Sequence, residues 1–176
     1  MPWPLRAYRL LLLTIHLCLG AALAALRLSG DPRTMTPGAL ATIRWWHRRL
    51  CRILGIRVSV SGRPVAGPVV LASTHLSWTD IPVLGSVTDC AFLSKDEVRA
   101  WPMVGWLSAR AGTLFIRRGD RRSAAETIAT LAEALGSGRQ VVLFPEGTTT
   151  RGEVRRFKGR LLEAAVVAAV PLQPVA

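Results

Sequence analysis

The sequence predicts an α/β fold, a largely parallel central sheet flanked by helices and preceded by an N-terminal pair of membrane-associated helices. Three observations carry this reading. Short β-branched runs alternate with helical stretches from residue 57 onward, which is the pattern of βαβ units and parallel strands. Residues 10–26 contain no formal charge and are bracketed by Arg6, Arg9 and Arg27. A second helix, beginning at Pro37, combines an apolar stripe with an arginine-rich face.

The uncharged stretch of seventeen residues is at the low end for crossing a hydrocarbon core of about 30 Å. A signal peptide would share its basic start, and Ala22-Leu23-Ala24 resembles a cleavage site. A spanning helix fits if the bilayer thins locally. A re-entrant or interfacial anchor fits the shortness best. After the breaker Ser29-Gly30-Asp31-Pro32, Thr36 is placed to cap a helix starting at Pro37. Its Leu40, Ile43, Trp46, Leu50 and Ile53 recur every three or four positions, and Arg44, Arg48, Arg49 and Arg52 fill the rest. A helix packed on a globular core with a solvated basic face would read the same way. Apolar stripe, tryptophan and arginine together favour the membrane interface, and a cleaved leader would leave this helix unanchored. The expected division is therefore 1–56 for the membrane-associated helices and 57–176 for the α/β domain.

Within the second part, strands are expected at 57–61, 69–73, 90–93, 114–116, 141–144 and 170–175. A helix is expected at 121–135, where Ala124, Ile128, Leu131 and Leu135 share one face and Gly136 ends the run. The last run reads as a core strand with no closing helix after it, so the expected domain is incomplete at its C-terminus.

Composition narrows the function classes. The chain has 176 residues, half of them hydrophobic and 19% charged, which excludes a disordered or collagen-like chain. The net charge of +12 is uneven: residues 1–62 hold nine arginines and a single acid, Asp31. Basic charge set beside apolar helices points to an anionic membrane surface as partner rather than to nucleic acid. No zinc-finger, RNP or basic-zipper pattern supports the latter. Cys18, Cys51 and Cys90 are too widely spaced for a disulfide framework or zinc knuckle, so they read as structural thiols in a reducing compartment.

Three strings carry chemistry. Thr74-His75-Leu76-Ser77-Trp78-Thr79-Asp80 follows a buried strand, at the sheet edge where open α/β folds place their sites. Asp80 is positioned to orient the imidazole as a general base, although an aspartate there also suits a helix cap. Phe144-Pro145-Glu146-Gly147-Thr148-Thr149-Thr150-Arg151 follows another apolar strand. Gly147 permits a tight turn, the threonines offer hydroxyl and backbone donors to an oxyanion, and Glu146 is a carboxylate at the mouth. Gly112-Thr113-Leu114-Phe115-Ile116-Arg117-Arg118 ends a third strand in paired arginines suited to phosphate or carboxylate.

Taken in order, these strings resemble the lysophosphatidate (1-acylglycerol-3-phosphate) acyltransferase family of glycerolipid enzymes. The first resembles its N-H-x-S-x-x-D block with Thr74 in place of Asn, the third its G-x-x-F-I-x-R block, and Phe144–Thr148 match F-P-E-G-T. Residues 170–175 resemble a fourth, proline-containing apolar block, and Lys95 with Pro102–Gly105 resembles a lysine followed by a P-x-x-G turn. The resemblance implies an O-acyltransferase in phospholipid biosynthesis, with His75 and Asp80 catalytic and Arg118, Glu146, Gly147 and Thr148 binding the acceptor. It implies acyl-CoA or acyl-carrier protein as co-substrate, no cofactor and no metal. Arg6, Arg9 and the second helix's arginines place the catalytic domain on the cytoplasmic side of the inner membrane, which is also the side that holds the acyl carriers. His16 and His47, without acidic neighbours in sequence, read as structural. The family's block commonly continues with Arg-Ser where Thr149 and Thr150 stand here. Lysophosphatidate is the first expectation for the acceptor, with Arg151 or Lys158 replacing the lost arginine. Lyso-ornithine lipid, which has no phosphate, is the alternative, and an inactive membrane-bound scaffold is the reading from another class.

Overall fold

In a computed structural model the described residues are 3–28, 30–32, 34–116, 121–150 and 154–176. Helix α1 runs Trp3–Arg27, longer than the uncharged stretch because Trp3–Arg9 continue the same helix. At 1.5 Å per residue its 25 residues reach about 37 Å, so shortness no longer separates a spanning helix from an interfacial one. Only 17% of its most apolar window is buried, and Leu10, Leu11, Ile15 and Leu26 stand exposed.

Helix α2, Pro37–Leu54, begins where the sequence placed it: Thr36 Oγ1 accepts from the Ala39 amide at 3.2 Å, and Gly55 closes it at φ +77°. Its packing differs from a helix that keeps all its arginines on an open face. Ala39, Thr42, His47, Leu50 and Cys51 are buried. Arg44 pairs with Asp89, and Arg48 Nε donates to the Ser86 carbonyl at 2.7 Å. Two of the four arginines are thus tied to helix α3 (Asp80–Val87) and the loop after it. Two glycines allow these helices to approach. A Cβ on Gly20 of α1 would fall 2.5 Å from Trp46, and one on Gly85 of α3 would fall 2.5 Å from His47. His47 fills that gap between the helix pair and the sheet, edge-on to Phe92 at 6.3 Å between ring centroids.

The sheet has five strands, all parallel, in the order β3-β2-β4-β1-β5. These are β1 (Val70–Ser73), β2 (Cys90–Lys95), β3 (Leu114–Ile116), β4 (Gln140–Leu143) and β5 (Leu172–Val175). Central strands β1 and β4 are buried on both faces, as the unbroken apolar runs require. On one side Val70, Val141 and Leu143 pack against Leu131, Ala134 and Leu135 of α6 (Arg121–Gly136) and Ala164 and Ala165 of α7 (Glu163–Val167). On the other, Val69, Leu71, Val142 and Phe92 pack against Leu84 of α3.

Two strand expectations change. Residues 57–61 form no strand and are exposed. Both hydrogen-bonding sides of β1, the strand that follows this run in sequence, are already taken by β4 and β5. The chain just after it is held instead by side chains at strand ends: the Gln173 Oε1 accepts from the Val65 amide at 2.9 Å, and Gln140 donates to the Val65 carbonyl at 3.3 Å. The last run is an edge strand rather than a core one, beginning at Leu172 and leaving that side chain 43% exposed. Two short helices, α4 (Asp96–Arg99) and α5 (Val104–Arg110), fill the β2–β3 crossover.

Candidate active site

Because every strand is parallel, the C-terminal ends of β1 and β4 open on one edge of the sheet, and their register puts Ala72 beside Leu143. The loops leaving these two strands meet there. From β1 comes the loop 74–79. His75 is half-buried, and its ring stacks on Phe144 with centroids 4.0 Å apart and planes at 19°. Its Nδ1 lies 2.8 Å from Asp80 Oδ2. A carboxylate only accepts, so Nδ1 carries the proton and Nε2 presents a lone pair.

The same carboxylate oxygen accepts from the amides of Leu76 at 2.7 Å and Ser77 at 2.9 Å. Asp80 therefore turns back onto the preceding loop. It does not cap α3, whose N-cap residue Thr79 makes no side-chain capping bond. The helix-cap alternative is answered by those three short contacts to one oxygen. A carboxylate fixed in this way holds the imidazole in one orientation and stabilises its protonated form.

From β4 comes the turn 144–150. Gly147 adopts φ +73°, the left-handed region where a side chain would be strained, and its amide donates to Phe144 O at 2.9 Å. Glu146 sits differently from a carboxylate at the mouth, being only 2% exposed. Its Oε1 accepts from the His75 amide at 3.3 Å and its Oε2 from the Arg155 amide at 3.4 Å. It ties the His75 loop, 71 residues away, to its own turn and to the chain nine residues further on. Of the threonines, Thr148 and Thr149 are exposed, whereas Thr150 is buried and donates its amide to the His75 carbonyl at 2.8 Å. His75 is thus gripped from both sides of its own backbone by the second loop.

Phe144, Thr150 and the Arg155 amide were not singled out from the sequence as supports of the site. Phe144 opens the matched string, the one signal that could have found it, whereas Thr150 lies where this chain departs from the family block. Lys158 closes this face. Its amide donates to Pro145 O at 2.9 Å, and its Nζ would lie 3.5 Å from a Cβ built on Gly147. Arg118 and Arg151 lie outside the described residues. Burial pushes the Cys90 thiol up to about 12, against a weaker opposing effect of the Thr88 hydroxyl, and raises Cys51 as well. Neither is a thiolate near neutral pH, so neither is a ready nucleophile. Among the described residues, no group of three or more His, Cys, Asp or Glu is placed to hold a metal ion.

Residues 55–176 match the family model described as Acyltransferase. The chain belongs to that family. Among its relatives, the lyso-ornithine lipid O-acyltransferase of Pseudomonas aeruginosa is 49% identical over 174 residues, 98% of this chain and 67% of that one. The 1-acyl-sn-glycerol-3-phosphate acyltransferase of Neisseria gonorrhoeae is 34% identical over 119 residues, 65% of this chain and 47% of that one. The chain therefore spans about two thirds of the first relative's length and about half of the second's. In three dimensions it is similar to PlsC, the 1-acyl-sn-glycerophosphate acyltransferase of Thermotoga maritima. The TM-score is 0.65 at 28% identity, covering 95% of this chain and 73% of that one. The family read from the motif order and the parallel α/β fold read from the alternation of strands and helices are both borne out.

Proposed function

We propose that this acyltransferase moves an acyl chain from a thioester to the free hydroxyl of a lysolipid, and that the acceptor is lyso-ornithine lipid. The observation that carries the chemistry is the His75–Asp80 pair at 2.8 Å with the tautomer fixed by the carboxylate. His75 Nε2 takes the proton from the acceptor hydroxyl as its oxygen attacks the thioester carbonyl carbon. The exposed Thr148 and Thr149 supply amide and hydroxyl donors to the oxyanion, the Gly147 and Thr150 amides being taken by Phe144 O and His75 O. The carbon–sulfur bond then breaks, and the leaving sulfur takes the proton back from His75. The products are an ester and a free thiol, with no covalent enzyme intermediate. Acyl-CoA and acyl-carrier protein both present such a thioester.

Glu146 acts as a positioning residue, holding the His75 backbone against the second loop, and acceptor binding is assigned to Gly147, Thr148 and, from the sequence motif alone, Arg118. Two observations support lyso-ornithine lipid over lysophosphatidate. The 49%-identical relative carries that name. The arginine that would meet a phosphate is Thr149 here, and Thr150 beside it is occupied with His75. Lys158, beside Gly147, suits the single carboxylate of an amino-acid head group. Lysophosphatidate is the second reading, supported by the Neisseria relative's name and by the likeness to PlsC. The apolar α1, with Arg6 and Arg9 in its first turns and Arg27 at its end, supports attachment to the inner membrane with the site on the cytoplasmic side, where the donors are.

Purified protein offered a panel of lysolipids with an acyl-thioester donor tests this, with products identified by mass. Acylated ornithine lipid is the expected product. Product from lysophosphatidate alone would overturn the acceptor assignment, and no product from any lysolipid would overturn the activity.

A further inference from the structure

The edge of the sheet that carries His75 also carries an exposed apolar turn that the proposed chemistry does not use. Strand β2 ends there, and the crossover continues through α4 into α5. Between and at the start of these helices, Trp101 is 57% exposed, Met103 46%, Val104 43% and Trp106 40%. Single exposed apolar side chains are ordinary, but four large ones within six residues are a patch.

The turn is firmly built. Gly105 lies so close to α4 that a Cβ there would fall 2.2 Å from the Arg99 carbonyl oxygen. The Gly105 amide donates to Trp101 O at 2.9 Å and the Leu107 amide to Met103 O at 2.8 Å. Met103 is held at φ +58°, a region that non-glycine residues seldom occupy. This backbone strain falls in the middle of the exposed apolar run.

Its surroundings say what it meets. The Arg110 guanidinium lies over the Trp106 ring, 5.6 Å from its centroid, and donates to the Leu28 carbonyl at 3.0 Å. Leu107 packs against the cluster of Ala24, Leu28 and Ala39. The turn is therefore fastened to the end of α1, the helix long and apolar enough to enter a bilayer. Arg99 and Arg110 balance Asp96 and Glu97 in this crossover, and Lys95 at the end of β2 adds one positive charge beside it. Tryptophan bodies with basic neighbours, continuous with a membrane helix, match the headgroup layer of an anionic leaflet.

We propose that the turn 101–106 is a second membrane-inserting element, seated in the headgroup region and holding the His75 edge of the sheet against the lipid. The test uses the full chain with Cys18→Ser, which removes the exposed thiol, and Met103→Cys bearing an environment-sensitive fluorophore. The control carries the same label at Ser137→Cys, exposed at the opposite end of the sheet before β4. Protein is introduced into vesicles of phosphatidylcholine with or without phosphatidylglycerol, and flotation identifies the bound fraction. The expected result is a blue shift and several-fold brighter emission at position 103, larger with phosphatidylglycerol, and no change at 137. Should Met103→Cys fail to fold, Val104→Cys reports from the same turn.

An aqueous label at the turn in floated protein would overturn the proposal, as would failure to float. A blue shift in detergent that rises with protein concentration would assign the surface to a second copy of the chain, and overturn it equally. The readout involves no turnover, so it stands or falls apart from the acyl-transfer proposal.

Discussion

The loops leaving β1 and β4 occupy equivalent places, each at the end of a buried parallel strand and each with a carboxylate, yet they use that carboxylate in opposite ways. Asp80 collects the His75 imidazole and two amides on one oxygen and keeps an intermediate exposure. Glu146 is almost wholly buried and spends each oxygen on a backbone amide. The first carboxylate acts on a ring that can exchange a proton. The second acts on the chain that carries the ring. The contrast shows that a carboxylate's role at a sheet edge is set by what its oxygens accept from, which local sequence does not reveal.

The largest effect that would break this comparison is expected at Asp80. Asp80→Ala removes the group that orients His75 and should lower turnover about 10²–10⁴-fold. Because two loop amides also lose their acceptor, the melting temperature should fall too. Asp80→Asn retains an acceptor for the amides and should recover stability but not rate. Equal turnover in Asp80→Asn and the parent would show that the carboxylate serves only the loop.

Glu146 should behave the other way round. Glu146→Ala leaves two amides without their acceptor, at about 1–3 kcal/mol each, and lets the His75 loop drift. Denaturant unfolding should register that loss, with turnover falling alongside it. Glu146→Gln keeps one acceptor oxygen and should restore part of both. A Glu146→Ala variant of unchanged stability and lowered acceptor affinity would instead make this carboxylate a substrate contact.

A background effect of the fold must be separated from the site in any pH profile. Burial holds the His47 imidazole down at about 4, with His16 nearby adding to the effect. The unfolded chain therefore binds the proton first, and stability is intact above about pH 6.5 and falls as pH drops towards 4. The whole contribution is up to about 3 kcal/mol. His47→Phe should flatten the dependence of unfolding free energy on pH across that window, and an unchanged slope would contradict it. The smallest effect is expected at Thr150→Val. The backbone bond to His75 remains and only the longer hydroxyl contact at 3.4 Å is lost, so stability should change by about 1 kcal/mol or less.

Much of this architecture was legible in the residues. The apolar runs in β1, β3 and β4 read as strands because they are short and bounded by turn residues, and α6 because its apolar side chains recur at helical spacing. His75 and Asp80 could be paired because Asp80 follows only five positions after His75. Glu146 could not be assigned its partners, since the His75 amide comes from 71 residues away and Arg155 from beyond the turn. Nor could Arg44 and Arg48 be assigned theirs. A basic helix face looks the same whether it meets lipid or, as for these two, Asp89 and the Ser86 carbonyl. Residues 57–61 have strand composition, but both sides of β1, the strand that follows them, are held by β4 and β5.

The account rests most directly on His75 being the base. The decisive measurement is the turnover of purified His75→Ala with a lysolipid acceptor and an acyl-thioester donor, made alongside its thermal unfolding. The account predicts a cooperative transition close to the parent's, since the His75 amide and carbonyl still engage Glu146 and Thr150, with turnover down by about 10²–10⁴-fold. Parental turnover from a folded His75→Ala protein would contradict it.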